Sequence, residues 1–319
     1  MTGKLILGSV IWLSLAGGAM AADKNVNFDQ RGGLPSLLDS LPADTASSVA
    51  APRPEGLTFT ESRTRKTHAK GFIKKDLPAS YWKSFKNGSV TIPDKLDLRP
   101  KLTQIENQGG CGSCWAFSLT STHRDGHTLA GRDPGRLSQE WLVDNSTEAD
   151  HCNGGYFDSA SDFVDPRGQP LWSACPYKQG AGKCPVDLPI AAHITAWFML
   201  GDKTTGPAVK DIEAYMSATG NPVSIGVAAS AGRWEGYSGG IYNACADAEM
   251  DHMINIVGWD NEGAEFDKDG NLPPGKGIWI LRNSWGGYWG ESGYMRSKMT
   301  DPKGKRCNNV AGEAAAFEF

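Results

Sequence analysis

Seven cysteines, an odd number, restrict this chain more sharply than its composition does. Two of them lie three positions apart in "NQGGCGSCWAFS", Asn107 to Ser118. A CxxC pair can be a redox couple, half of a zinc site, or two cysteines with separate tasks. Redox pairs of the thioredoxin type follow a strand in a βαβ unit. The preceding "DKLDLRPKLTQIENQGG" does not supply one. A zinc site needs a second ligand pair at suitable spacing. The other cysteines, 152, 175, 184, 245 and 307, are single and scattered apart from Cys175 and Cys184. On the third reading Cys114 opens a helix, whose first amides and dipole favour a thiolate. Cys111, in the loop before it, is then available as a structural staple.

The N-terminus argues for an oxidising destination. Lys4 precedes an apolar run, Leu5 to Ala16, too short to cross a bilayer, and Ala19-Met20-Ala21 fits a small-x-small cleavage site. Residues 1–21 read as a secretory signal peptide, and no later stretch is apolar enough for a membrane span. In a secreted, periplasmic or otherwise exported oxidising compartment, seven cysteines leave one thiol over.

Residues 22–90 differ in character from the remainder of the chain. They carry Pro35, Pro42, Pro52, Pro54 and Pro78, no cysteine, and a charge of +4 from 11 Lys and Arg against 7 Asp and Glu. Residues 91–319 hold 20 Lys and Arg against 29 Asp and Glu, hence −9. A basic leader before an acidic body reads as a pro-segment held partly by charge. The whole-chain net charge of −4 gives no reason to expect nucleic acid.

From about Ile92 the pattern is that of a packed domain. "SCWAFSLTSTHRDGHTL" reads as a helix from Cys114, ending before Gly131. "SQEWLVDNS" is a second helix with Ser138 as N-cap. "PAVKDIEAYMSATG" is a third, with Pro207 in its first turn and Gly220 at its exit. "PVSIGVA", "HMINIVGW", "GIWILRN", "GYMRSK" and "AAAFEF" read as strands. Helices followed by strands predict an α+β chain in two lobes.

A thiolate nucleophile needs a base, a group to orient that base, and donors for a developing oxyanion. His252 opens "HMINIVGWD", 138 positions after Cys114. Asn283 ends a strand in "WILRNSWGGYWGESGY", ahead of Trp285 and Trp289. An Asn side-chain oxygen can fix an imidazole tautomer and leave the other nitrogen facing sulfur. Gln108 and the Cys114 N–H could supply the oxyanion donors. His123 and His127, four apart in "HRDGH", lack the HExxH pattern of a metal pair. No metal and no cofactor is expected.

With "QGGCGSCWAFS", "LSQEWLVD", "CNGGY", "DHMINIVGWD" and "RNSWGGYWGESGY" in this order, residues 92–319 resemble the papain family of cysteine peptidases. The resemblance implies a two-lobed α+β fold. In it a helical lobe, with the nucleophile helix at its centre, packs on a β-barrel-like antiparallel lobe across a cleft. It implies Cys114 as nucleophile, His252 as base, Asn283 as orienter, Gln108 in the oxyanion hole, and Trp285 shielding the Asn–His pair. Gly154 and Gly155 would be the bare backbone edge for an extended peptide. Tyr156, Phe157, Gly226, Met250 and Met253 would line a roomy apolar pocket.

It also implies bridges Cys111–Cys152 and Cys245–Cys307. Where the family often has a cysteine after "LVD", this chain has Asn145, so Cys175 and Cys184 are expected to bridge locally and Cys114 to stay free. The expected protein is a secreted precursor: 1–21 signal peptide, 22–90 a short atypical pro-segment, 91–319 the peptidase domain. As a monomer it cleaves a peptide or protein substrate, with its own pro-segment as inhibitor and no nucleic acid or membrane partner. Paired charges would depress the thiol pKa and raise that of the imidazole. Same-fold acyl transfer (a peptide ligase) and a non-catalytic papain-like binding protein are the alternatives. "NEGAEFDKDGNLPPGKG", between His252 and Asn283, is longer than the family's usual connection and reads as a polar surface hairpin with an incomplete calcium-loop spacing.

Overall fold

The computed structural model describes residues 68–85, 90–180 and 182–319. The signal peptide 1–21 and the leader up to residue 67 lie outside the described residues.

Helix α1, Cys114–Leu129, is buried over most of its circumference, as a central helix must be. Gly126 interrupts its propensity, but a Cβ there would lie 2.1 Å from the ring of Phe319, so the gap is filled by that side chain. Gly131, with φ 74°, turns the chain out just after the helix end. Helix α2 is Gln139–Asn145, and its N-cap Ser138 accepts from Trp141 N at 3.1 Å, as the sequence predicts. Helix α3, Phe157–Val164, was not expected; its eight residues give too short a period to read. Helix α4 is Val209–Thr219, with Gly220 left-handed at its C-cap. Pro207 stands before its N-cap Ala208 rather than inside the first turn; Asp211 Oδ2 accepts from Ala208 N at 3.0 Å and closes the helix start.

The strands are β1 Trp82–Lys83, β2 Lys95–Asp97, β3 Gln169–Pro170, β4 Ile190–Ala192, β5 Ala196–Leu200, β6 Val223–Val227, β7 Ile241–Tyr242, β8 His252–Asp260, β9 Ile278–Arg282, β10 Tyr294–Lys298 and β11 Ala314–Glu318. The five predicted strand runs form β6, β8, β9, β10 and β11. The main sheet runs β1-β5-β11-β6-β8-β9-β10-β7, with β2 on β8, and it stays open. The barrel-like antiparallel lobe expected from the sequence is therefore an open sheet, with parallel pairs β1–β5 and β10–β7 at its ends. Two-residue strands are too short to close a barrel edge.

Two apolar cores result. One surrounds the sheet and α4, with Ile212, Val223, Ile256, Trp279 and Leu281; the other lies under α1, α2 and α3, with Trp115, Trp141, Tyr156, Val164 and Met199. A buried polar seam joins α1 to the sheet. Ser118 Oγ meets Ser224 Oγ at 2.6 Å, and Asn255 Nδ2 donates to Ser118 O at 2.9 Å and Thr122 Oγ1 at 2.7 Å. Arg282, the last residue of β9, ion-pairs with Asp125 of α1, both buried. The pairing of Asn255 with Arg282 fixes the β8–β9 register.

Bridges join Cys111 to Cys152, Cys175 to Cys184 and Cys245 to Cys307, while Cys114 is a buried free thiol. Asn145 holds the local loop: its Nδ2 donates to Trp141 O at 2.9 Å and Cys184 O at 3.3 Å.

Glu213 of α4 is fully buried, accepts one bond from Asn261 Nδ2 at 2.9 Å, and has its other oxygen unpartnered. Burial pushes its pKa up to about 8. Between the ordinary carboxylate pKa and about 8 the folded chain keeps a proton that the unfolded chain has lost, so stability falls as pH rises through that window. Thermal melts from pH 4 to 9 should find Glu213→Gln more stable than wild type by roughly a few degrees at pH 8, with the two converging in acid. A gap that is constant with pH would refute this assignment.

Candidate active site

Cys114 is the first residue of α1, so its N–H belongs to the set that lacks an intrahelical partner. It is fully buried, and the backbone N–H groups of Met253, Gly71 and Trp115 lie near its sulfur and favour the thiolate against burial. The Met253 amide brings sulfur to the start of β8, next to His252. His252 Nε2 lies 2.9 Å from Asn283 Oδ1, and its Nδ1 is buried without a hydrogen-bond partner. The β8–β9 register explains this contact. Continuing the Asn255–Arg282 pairing past the end of β9 sets Asn283 and Trp285 on the face of the sheet that carries His252. The Trp285 indole stacks on the imidazole at 4.7 Å and 23°, and meets Trp289 edge-on at 5.2 Å.

Gln108 is buried in the loop before α1. Its Oε1 accepts from Ser284 Oγ at 2.7 Å, which aims the amide nitrogen away from Ser284. Gln108 Nε2 donates to Cys111 O at 3.0 Å and Ala69 O at 3.1 Å. Tyr177 adds a hydroxyl to Gln108 O at 2.8 Å and to Ser113 Oγ at 2.7 Å. Ser284 and Tyr177 escaped sequence reading, since a serine beside Asn283 and a tyrosine in a loop carry no local signal.

Residues 68–75 of the leader fill the cleft. Phe72 pairs in parallel with Gly155; Ile73 N donates to Gly155 O at 2.9 Å, and Gly155 N to Gly71 O at 2.9 Å. Phe72 N donates to Asp251 O at 3.1 Å. Gly71 passes so close to the wall that a Cβ would lie 1.8 Å from Gly112 O. A Cβ on Gly154 would strike Ile73 at 2.7 Å, and one on Gly155 would strike Trp115 at 2.8 Å. Both glycines of "CNGGY" thus leave room for a backbone laid along them.

The Phe72 ring meets Tyr156 and Phe157 edge-on at 5.3 and 6.0 Å. A Cβ on Gly226 would come within 2.5 Å of Met250 Sδ and 3.3 Å of the Phe72 ring, and Met253 shares the same core. Of the five residues expected to line an apolar pocket, Tyr156, Phe157 and Gly226 lie against the Phe72 ring, and Met250 and Met253 pack in the same core. Glu313, which sequence reading passed over, accepts from Tyr156 Oη at 2.6 Å beside them.

Charge adds to this docking. Lys70 pairs with Glu235, Lys74 with Glu313 at 3.0 Å, and Lys75 with Asp158 at 3.0 Å. Such partly exposed pairs are worth about 0–1 kcal/mol each. Burying the Phe72 ring is worth roughly 1.5–3 kcal/mol, so the aromatic anchor outweighs any one pair. His68 stacks on the outer face of Trp285 at 4.5 Å, and Ala69 O also accepts from Trp285 Nε1 at 3.3 Å.

The cover reverses the electrostatics expected from the sequence. Burial pushes the Cys114 thiol up to about 12 and the His252 imidazole down to about 4, against the bond to Asn283 that would raise it. With the leader in place, burial favours the neutral thiol and the neutral imidazole over separate charges. His123 and His127 lie elsewhere. His123 Nδ1 is 2.9 Å from Gln169 Oε1, and His127 Nε2 is 3.0 Å from His193 O.

Residues 92–316 match a family described as "Papain family cysteine protease". The chain is 32% identical to the oryzain beta chain of Oryza sativa subsp. japonica over 216 residues, 66% of this chain and 43% of that one. It is 32% identical over 231 residues to the KDEL-tailed cysteine endopeptidase CEP2 of Arabidopsis thaliana, 70% of this chain and 59% of that one. The chain spans about half the length of these curated relatives. The structure of digestive procathepsin L2 from Tenebrio molitor larval midgut superposes with a TM-score of 0.65 at 28% identity, covering 79% of this chain and 78% of that one.

Alkylation of the Cys114 thiol by iodoacetamide at pH 7 should be slow in the full chain. Phe72→Asp, which removes the aromatic anchor, should speed it at least about tenfold. An unchanged rate would mean that residues 68–75 do not cover the thiol.

Proposed function

The chain belongs to the papain family of cysteine proteases, and we propose that it is an endopeptidase of that family, exported and made as an inactive precursor. One observation carries this reading. A free thiol at a helix start shares a cleft with an imidazole held by an asparagine under an indole, and an extended peptide segment lies along that cleft. Three disulfides fit an oxidising compartment. Residues 22–90 act as the pro-segment and 91–319 as the peptidase domain.

The leader fills the site: the N–H of Gly71 lies near the sulfur, and Ala69 O is held by Gln108 and Trp285. Once the leader is removed, water and substrate reach the pair, the thiol passes its proton to His252 Nδ1, and Asn283 Oδ1 steadies the imidazolium through Nε2–H.

Cys114 sulfur attacks the peptide carbonyl carbon. Gln108 Nε2, released from Ala69 O, and the Cys114 N–H donate to the developing oxyanion. His252 gives its proton to the leaving amine, and a thioester forms. Water, losing a proton to His252, attacks the thioester; the acid product leaves and the thiol is restored. The substrate backbone lies along Gly154 and Gly155. An apolar side chain enters the space that Phe72 occupies among Tyr156, Phe157, Gly226, Met250 and Met253.

With the leader removed, Cys114→Ala should abolish peptide hydrolysis while leaving the melting curve unchanged. Gln108→Ala should lower kcat about 10²–10³-fold, the usual effect of losing one oxyanion donor. A Cys114→Ala protein that keeps most of its turnover would overturn the assignment. Equal loss of activity and fold in Gln108→Ala would count against the oxyanion role.

A further inference from the structure

The long connection between β8 and β9 builds a cavity that shares no residue with the cleft. Its volume is about 330 Å³, at the lower end of small-molecule sites. Asp267, Asn271, Leu272 and Lys276 of the connection form one wall. The connection is tied to the start of α4: Lys210 N donates to Gly270 O at 2.9 Å, and Val209 N to Asn271 Oδ1 at 3.4 Å. Ile212, Trp279 and Met299 supply the apolar floor.

Arg306 completes the lining. Its Nη1 donates to Ala311 O and its Nη2 to Pro207 O at 2.7 Å. Both partners are neutral carbonyls, and among the described residues no carboxylate pairs with this guanidinium. Burial lowers its pKa with no opposing charge to raise it. A guanidinium has five N–H donors, so at least three remain to be satisfied. The side chain is half-buried, so its remaining donors are open to a ligand, and planar carboxylates match its fork.

The faint calcium-loop spacing of this connection has another explanation. Asp267 Oδ1 accepts from Asp269 N and Asn271 N, each at 2.9 Å, which shapes the turn, and Lys268 pairs with Asp269. The lining carries Lys276 and Arg306 against the single carboxylate of Asp267, a net charge of +1. That balance favours an anion over a metal cation.

We propose that this cavity binds a small monocarboxylate with an apolar body, the carboxylate meeting Arg306 and Lys276 and the body packing on Ile212, Leu272, Trp279 and Met299. The site is independent of the catalytic reading.

The test is isothermal titration of the full chain with 3-phenylpropionate and with its neutral amide. Saturable binding of the acid at millimolar concentration is expected, with the amide at least about tenfold weaker because a charge-assisted bond is lost. Lys276→Glu, an exposed position whose change inverts the net charge of the lining, should weaken the acid by a similar factor. Arg306→Gln should do the same if its melting curve shows that it folds; if it does not fold, Lys276→Glu decides. Absence of saturation at millimolar acid, equal affinity for the amide, or full affinity in Lys276→Glu would each overturn the proposal.

Discussion

A buried polar seam between α1 and the sheet holds the reactive groups in register. Cys114 stands on the helix, whereas His252 and Asn283 stand on two strands. Apolar packing alone would let these elements slide, because it has no direction. Ser118, Thr122, Ser224 and Asn255 exchange hydrogen bonds in a dry interior, and Arg282 meets Asp125 one residue before Asn283. An unmatched member of such a network is penalised heavily, so one helix position is selected. The thiol, the imidazole and the carboxamide inherit that register.

The leader works on the same site by displacement of water and charge. It brings an aromatic ring to an apolar pocket, an N–H to the sulfur and a carbonyl to Gln108. The sulfur and Gln108 each receive a neutral partner, and burial disfavours charge on both the thiol and the imidazole. Covering the cleft and disfavouring charge go together here, since a desolvated ion pair without its bonds is the costlier state.

Much was legible in the chain. CGSCW followed by His and Asn at long range, an odd cysteine, and the helix punctuation at Ser138, Gly131 and Gly220 each have a local physical cause. The cysteine partners also came out as expected, including the local Cys175–Cys184 bridge. Other features had no local cause. Helix α3 is too short for periodicity, and β5, buried on nearly every residue, reads equally as helix or strand. Ser284 and Glu313 acquire meaning only from Gln108 and Tyr156, far away in sequence.

Residue chemistry and short-range backbone geometry were enough to establish which reactive groups are present, where α1, α2 and α4 lie, and the runs that become β6, β8, β9, β10 and β11. Folding in three dimensions was needed to leave the sheet open, to lay the leader in the cleft with Gly71 near the sulfur, and to bury the thiol and imidazole so that charge on either is disfavoured. It also turned Arg306 toward a cavity without a counter-charge. These are matters of burial and proximity between distant segments, and charge state in a protein is set by what surrounds a group.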